Sequence, residues 1–160
     1  MTVPAVVNRK TIRKAIATAL RTELGSKIQV LYDFQKKTLD KQSPVIVVDS
    51  AAADRVTQGI NMLLTNSTLY FSIHIFVRYQ DLDASPEWTE EKSEDCIDDL
   101  EAAISSWILR VGDNTSGDDA TRAWLQLYTV GASDMTRALF DGIDYRHEEI
   151  PVAVDVGNAV

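Results

Sequence analysis

The sequence predicts an α+β fold, a two-layer arrangement in which two helices pack on one face of a mainly antiparallel or mixed β-sheet. Three observations carry that expectation. Two segments have apolar residues at helical spacing, residues 68–79 alternate strictly, and residues 44–48 form a short β-branched run. With 160 residues, 45% of them hydrophobic, the chain is long enough to bury about 70% of its unfolded surface. One soluble domain spanning residues 1–160 is expected, with no need of metals or disulfides.

The first helix is predicted to start at Asn8, a good N-cap. Ile12, Ala15, Ile16, Ala19, Leu20 and Leu24 recur along one stripe until Gly25, a natural stop. Residues 28–34 read as a strand. Pro44 opens the run Val45, Ile46, Val47 and Val48, which suits a strand buried on both faces. Residues 51–67 show no clear period and contain Gly59 and Asn66, so a long loop is expected. In residues 68–79, Leu69, Phe71, Ile73, Ile75, Val77 and Tyr79 share one face. Tyr70, Ser72, His74, Phe76 and Arg78 share the other, a mixed surface of the kind that meets a second subunit.

The second helix carries Ile97, Leu100, Ile104, Trp107, Ile108 and Val111 on one stripe, with Glu90, Glu91, Glu94 and Asp95 near its start, where unpaired backbone N–H groups favour negative charge. Residues 112–119 (GDNTSGDD) read as a loop, residues 122–130 as a strand covered on both sides, and residues 131–142 as a second irregular excursion. Asp141-Gly142 is a turn signal. A last strand follows, with Ile150, Val152, Val154 and Val156 on one face.

The net charge of −8 conceals a strong asymmetry. Residues 1–42 hold nine bases (Arg9, Lys10, Arg13, Lys14, Arg21, Lys27, Lys36, Lys37, Lys41) against three acids, whereas residues 81–101 hold ten acids against Lys92 alone. Such segments either fold against each other or sit on opposite flanks and attract another copy. The acidic sign of the whole, and a first helix without interleaved aromatics, argue against a specific nucleic-acid partner. No apolar run approaches the ~20 residues of a membrane span. Residues 1–8 show no signal-peptide pattern, so residence in a reducing cytosol is expected.

Chemistry-bearing patterns are sparse. Cys96, a single cysteine, makes no internal disulfide, and two scattered histidines match no zinc spacing. Asp95, Asp98, Asp99 and Glu101 crowd one helix; they suggest a Mg²⁺ or Ca²⁺ enzyme as an alternative, but fit no EF-hand loop and read better as a solvated helix start. His74 reads as a satisfied strand residue and His147 as a surface group beside Glu148 and Glu149. No nucleophile elbow and no phosphate-binding glycine loop occurs. No catalytic residue, cofactor or metal is assigned, and the expected class is a binding or assembly protein.

The order of elements, with Ile12-Arg13 and Ala15-Ile16 in the opening helix, PVIVVD at 44–49, FSIHIFVRY at 71–79 and DGIDYRHEEIPVAVD at 141–155, resembles the siphophage tail terminator proteins. The resemblance covers nearly the whole chain, which departs from it in the longer segments 51–67 and 112–120. It implies a non-enzymatic subunit of a ring, six copies around the tail axis, that touches the tail tube protein on one side and a neck or connector protein on the other. It also implies assembly in the host cytoplasm and residence in the virion tail; a neighbouring class of head-tail connector is the alternative. Candidate interface residues are Arg9, Lys10, Arg13 and Lys14 on the basic side and Asp95, Asp98 and Asp99 on the acidic side. Arg78, Asp144 and Arg146 join them, the last two sharing one face of the closing strand.

Overall fold

The structure is a computed structural model that describes residues 8–58, 64–79, 89–113 and 124–156. Helix α1 spans Arg9–Leu24. Its N-cap Asn8 accepts a hydrogen bond from the Lys10 backbone N–H, and Gly25, at φ +50°, turns the chain out while its N–H returns to the Arg21 carbonyl. Ile12, Ile16, Ala17, Leu20 and Leu24 are the buried stripe. Strand β1 (Val30–Tyr32) lies parallel to β2 (Val45–Gln58), and β3 (Leu64–Arg78) returns antiparallel to β2. Helix α2 (Glu90–Val111) follows, capped by Thr89, whose hydroxyl accepts from the Lys92 N–H. Strands β4 (Gln126–Thr129), β5 (Asp134–Phe140) and β6 (Ile143–Val156) complete a six-stranded mixed sheet.

The sheet order is β1-β2-β3-β6-β4, with β5 pairing β6 on the same side as β4 but nearer its start. This is the expected α+β fold. Both helices cover one face, where Ile46, Val48, Phe71, Ile73, Ile75, Val77, Val152 and Val154 meet their stripes in the main core. The opposite face carries a second, smaller core of Leu39, Val45, Val47, Phe76 and Tyr145, closed over by residues 33–44. The fully buried Tyr145 hydroxyl donates to the Gln42 carbonyl at 3.0 Å.

Three expectations are corrected here. Residues 51–58 and 64–67 are not loop but the outer halves of β2 and β3, paired from Ala52↔Tyr70 to Gln58↔Leu64 beyond a bulge at Ser50/Ala52. Residues 51–55 are exposed, so no apolar alternation marks them; cross-strand pairing holds them extended. Residues 134–140 are strand β5, joined to β6 by Asp141 (φ +50°) and Gly142 (φ +77°), two positive-φ residues that make the tight hairpin. Strand β4 is covered on one side only: Leu127 is buried, while Gln126, Tyr128 and Thr129 are exposed. The stretch 114–123, including most of the predicted GDNTSGDD loop, lies outside the described residues.

Candidate functional site

The strands separate the candidate residues into two ends. At one end, the start of α1 meets the outer half of β2: Arg13 donates to the Ser50 hydroxyl at 3.2 Å, and Asn8, Arg9, Lys10, Arg13, Ser50 and Arg55 line a shallow cleft of about 590 Å³. Among the described residues, none of Arg9, Lys10 and Arg13 forms an ion pair. Lys14 differs, because Asp33 accepts from it at 2.9 Å, and that ammonium holds the Asp33 carboxyl below its ordinary range.

At the other end, the Ser93 hydroxyl anchors α2 to the carbonyls of Arg78 and Tyr79 where β3 stops. Glu90, Glu91, Glu94, Asp95, Asp98 and Asp99 are exposed there. Between the levels of Leu69 and Arg78 on β3 the two ends stand roughly 25–30 Å apart. Arg78, Asp144 and Arg146 lie at this second end. Asp144 accepts from Arg137 of β5 at 3.0 Å, whereas Arg146 approaches Glu94 of α2 at 3.7 Å. Both guanidinium groups stack on Tyr79, 4.3 and 4.6 Å from its ring centre.

The helix divides the acidic cluster. Asp95 and Asp99 line a cleft shared with Lys27, Lys92 and Cys96, while Asp98 and Glu101 lie close enough to Glu148 of β6 to repel its charge. Among the described residues, no three His, Cys, Asp or Glu side chains converge into a metal-binding group. The Cys96 thiol is pushed up to about 11 by burial and by Asp99, so it stays protonated and is a poor nucleophile.

Glu148 is 6% exposed and faces the helix layer opposite Ile75. Burial raises its carboxyl above the ordinary range, and Glu101 and Asp98 add to this against the hydroxyl donated by Ser133. The folded chain therefore holds this proton to higher pH than the unfolded chain, and stability falls as pH rises through that window. Glu148→Gln is expected to raise Tm at pH 7 by about 2–4 °C, the shift that ~1 kcal/mol makes in a domain of this size. The gain should vanish near pH 3, where the carboxyl is protonated in both states; calorimetry at the two pH values checks it.

Sequence reasoning placed His147 at the surface, and the structure corrects this. Because β3 and β6 pair with Phe76 opposite His147, the two imidazoles become diagonal neighbours on the face away from the helices. Asp49 Oδ1 lies 3.1 Å from His74 Nε2, His74 Nδ1 lies 2.8 Å from His147 Nε2, and His147 Nδ1 lies 2.9 Å from Thr136 Oγ1. One set of hydrogens satisfies this chain with neutral rings. His74 Nε2–H donates to the Asp49 carboxylate, His147 Nε2–H donates to His74 Nδ1, and the Thr136 hydroxyl donates to His147 Nδ1. His147 is half-buried and stacks on Phe76 with ring centres 4.5 Å apart; burial, then His74, lowers its pKa. Beside the chain, the Ser72 hydroxyl donates to Glu149 at 2.7 Å. A cavity of about 230 Å³ opens over the histidines, walled by Leu39, Phe76 and Phe140 and bordered by Lys36.

No known family model matches the chain, and no curated protein matches its sequence. No helix among the described residues is long and apolar enough to cross a membrane.

Proposed function

We propose that this chain is a non-enzymatic assembly subunit that forms a head-to-tail ring with copies of itself, as a tail terminator does. In this reading a ring, six copies by resemblance, closes the head-proximal end of a phage tail tube, ends tail elongation and presents its other side to a neck protein. One observation carries the reading: unpaired bases at the start of α1 and exposed acids at the start of α2 stand at opposite ends of one layer. Rotational rings join two different surfaces of each subunit, and complementary charge fixes their register more than it adds affinity. The sheet margin adds to this. Among the described residues β5 pairs only with β6, and it exposes Met135 and Leu139, a strand edge of the kind that partners cover.

The test combines charge reversal with rescue. Arg9, Lys10, Arg13 and Lys14 changed to Glu are expected to weaken self-association about tenfold or more, and to abolish rings or tube caps in electron micrographs of protein mixed with tail tubes. Adding Asp95→Lys, Asp98→Lys and Asp99→Lys to that chain is expected to restore them. Rings that persist unchanged after the first reversal overturn the pairing, and absence of both rings and caps from the wild-type protein with tubes overturns the function.

A further inference from the structure

We infer that His74 and His147 form a two-imidazole site for a borderline divalent metal ion, with Zn²⁺ as the reference ion. The facing nitrogens, His74 Nδ1 and His147 Nε2, are 2.8 Å apart. Tetrahedral ligands about 2.0–2.1 Å from zinc are separated by roughly 3.3–3.4 Å, so an opening of the two rings by about 0.5 Å admits the ion. The outer nitrogens already have the partners that metal-bound histidines need. Asp49 accepts from His74 Nε2–H, and Thr136 meets His147 Nδ1. Asp49 and Glu149 supply negative charge beside the pair, against Lys36 at the cavity rim. The cavity above the rings leaves room for an ion and its waters.

Binding requires one internal change. In the neutral-ring hydrogen arrangement given above, His147 Nε2 carries the hydrogen donated to His74, so that proton moves to Nδ1 when Nε2 binds the ion. The Thr136 hydroxyl then rotates from donor to acceptor. Since no third protein ligand converges among the described residues, water fills the remaining positions. Affinity should follow the usual order, Cu²⁺ above Zn²⁺ and Zn²⁺ far above Mn²⁺.

The experiment is calorimetric titration of the full chain with ZnCl₂ at pH 7.5, paired with nitrogen-15 NMR of the imidazoles. One ion per chain is expected, with the nitrogen-15 signals of His74 Nδ1 and His147 Nε2 moving to metal-bound positions at saturation. His74→Gln and His147→Gln should each lose binding, Asp49→Asn should weaken it about 10–100-fold, and Asp98→Asn should leave it unchanged. Zn²⁺ affinity retained in His147→Gln, no heat with wild-type protein, or an unmoved His147 Nε2 signal at saturating Zn²⁺ would each overturn the assignment. The nitrogen-15 reading needs only the wild-type chain, so it decides the question even where a variant fails to fold.

Discussion

Tyr145→Ala is expected to lower stability by about 3–5 kcal/mol, the range for removing a large aromatic side chain from a core. Tyr145 is fully buried and is the largest such side chain in the molecule's described part. It packs edge-on against Phe76 and Phe140, with ring centres 6.4 and 5.8 Å away, and its hydroxyl holds the Gln42 carbonyl. The smaller core has few other members, so its collapse cannot be shared among many neighbours. Residues 33–44 should loosen with it, because Leu39 and Gln42 are two of their attachments to the smaller core. Tyr145→Phe keeps the ring and loses one hydrogen bond, about 1 kcal/mol. Urea unfolding of the two variants measures the difference, and faster tryptic cleavage at Lys36, Lys37 and Lys41 in the alanine variant alone would locate it.

Gly112→Ala is expected to cost about 3 kcal/mol, or a fall in Tm of about 6–12 °C. The cause is not conformational freedom: Gly112 has φ −69° and ψ −30°, which any residue adopts. The cause is space. A Cβ there falls far inside van der Waals distance of the Leu127 and Ile108 carbonyl oxygens, both backbone atoms that no rotamer change can move. The Leu127 N–H donates to the Gly112 carbonyl at 2.7 Å, so strand β4 is held against the end of α2 at this point. An added methyl pushes β4 away and disturbs Trp124, whose indole donates to the Val111 carbonyl and packs edge-on against Trp107. Near-ultraviolet circular dichroism should report a weakened tryptophan signal before the melt begins.

What the sequence made legible follows what a core demands. Helices α1 and α2 and the inner part of β3 each bury one continuous stripe, so their periods are plain in the residue order. The Asp141-Gly142 turn was readable for a different reason, since few residue pairs tolerate two positive φ angles. Segments 51–55 and 134–140 escaped because they are strands by pairing, not by burial; Ala51, Ala52, Ala53, Asp54 and Arg55 are all exposed and carry no alternation. The histidine pair escaped for a third reason. Alternation put Ser72 and His74 on one face, but only the register of β3 against β6 brings His147 to His74, and register is a long-range property. The charge asymmetry was visible at once, whereas its direction depended on where α1 meets β2 and where Ser93 ties α2 to β3.

The bases at the start of α1 and the acids at the start of α2 thus form two surface patches of opposite sign. At physiological salt the field of a charge fades over about 8 Å, well short of the separation between the two ends. A partner at close range therefore responds to the end it is nearing and not to the overall −8. Encounters become selective in orientation before any apolar surface touches, and the gain appears in the speed of association more than in the lifetime of the contact. Diluting the salt should accelerate docking between unlike ends while like ends repel more strongly, so ionic strength acts on which way round two molecules first meet.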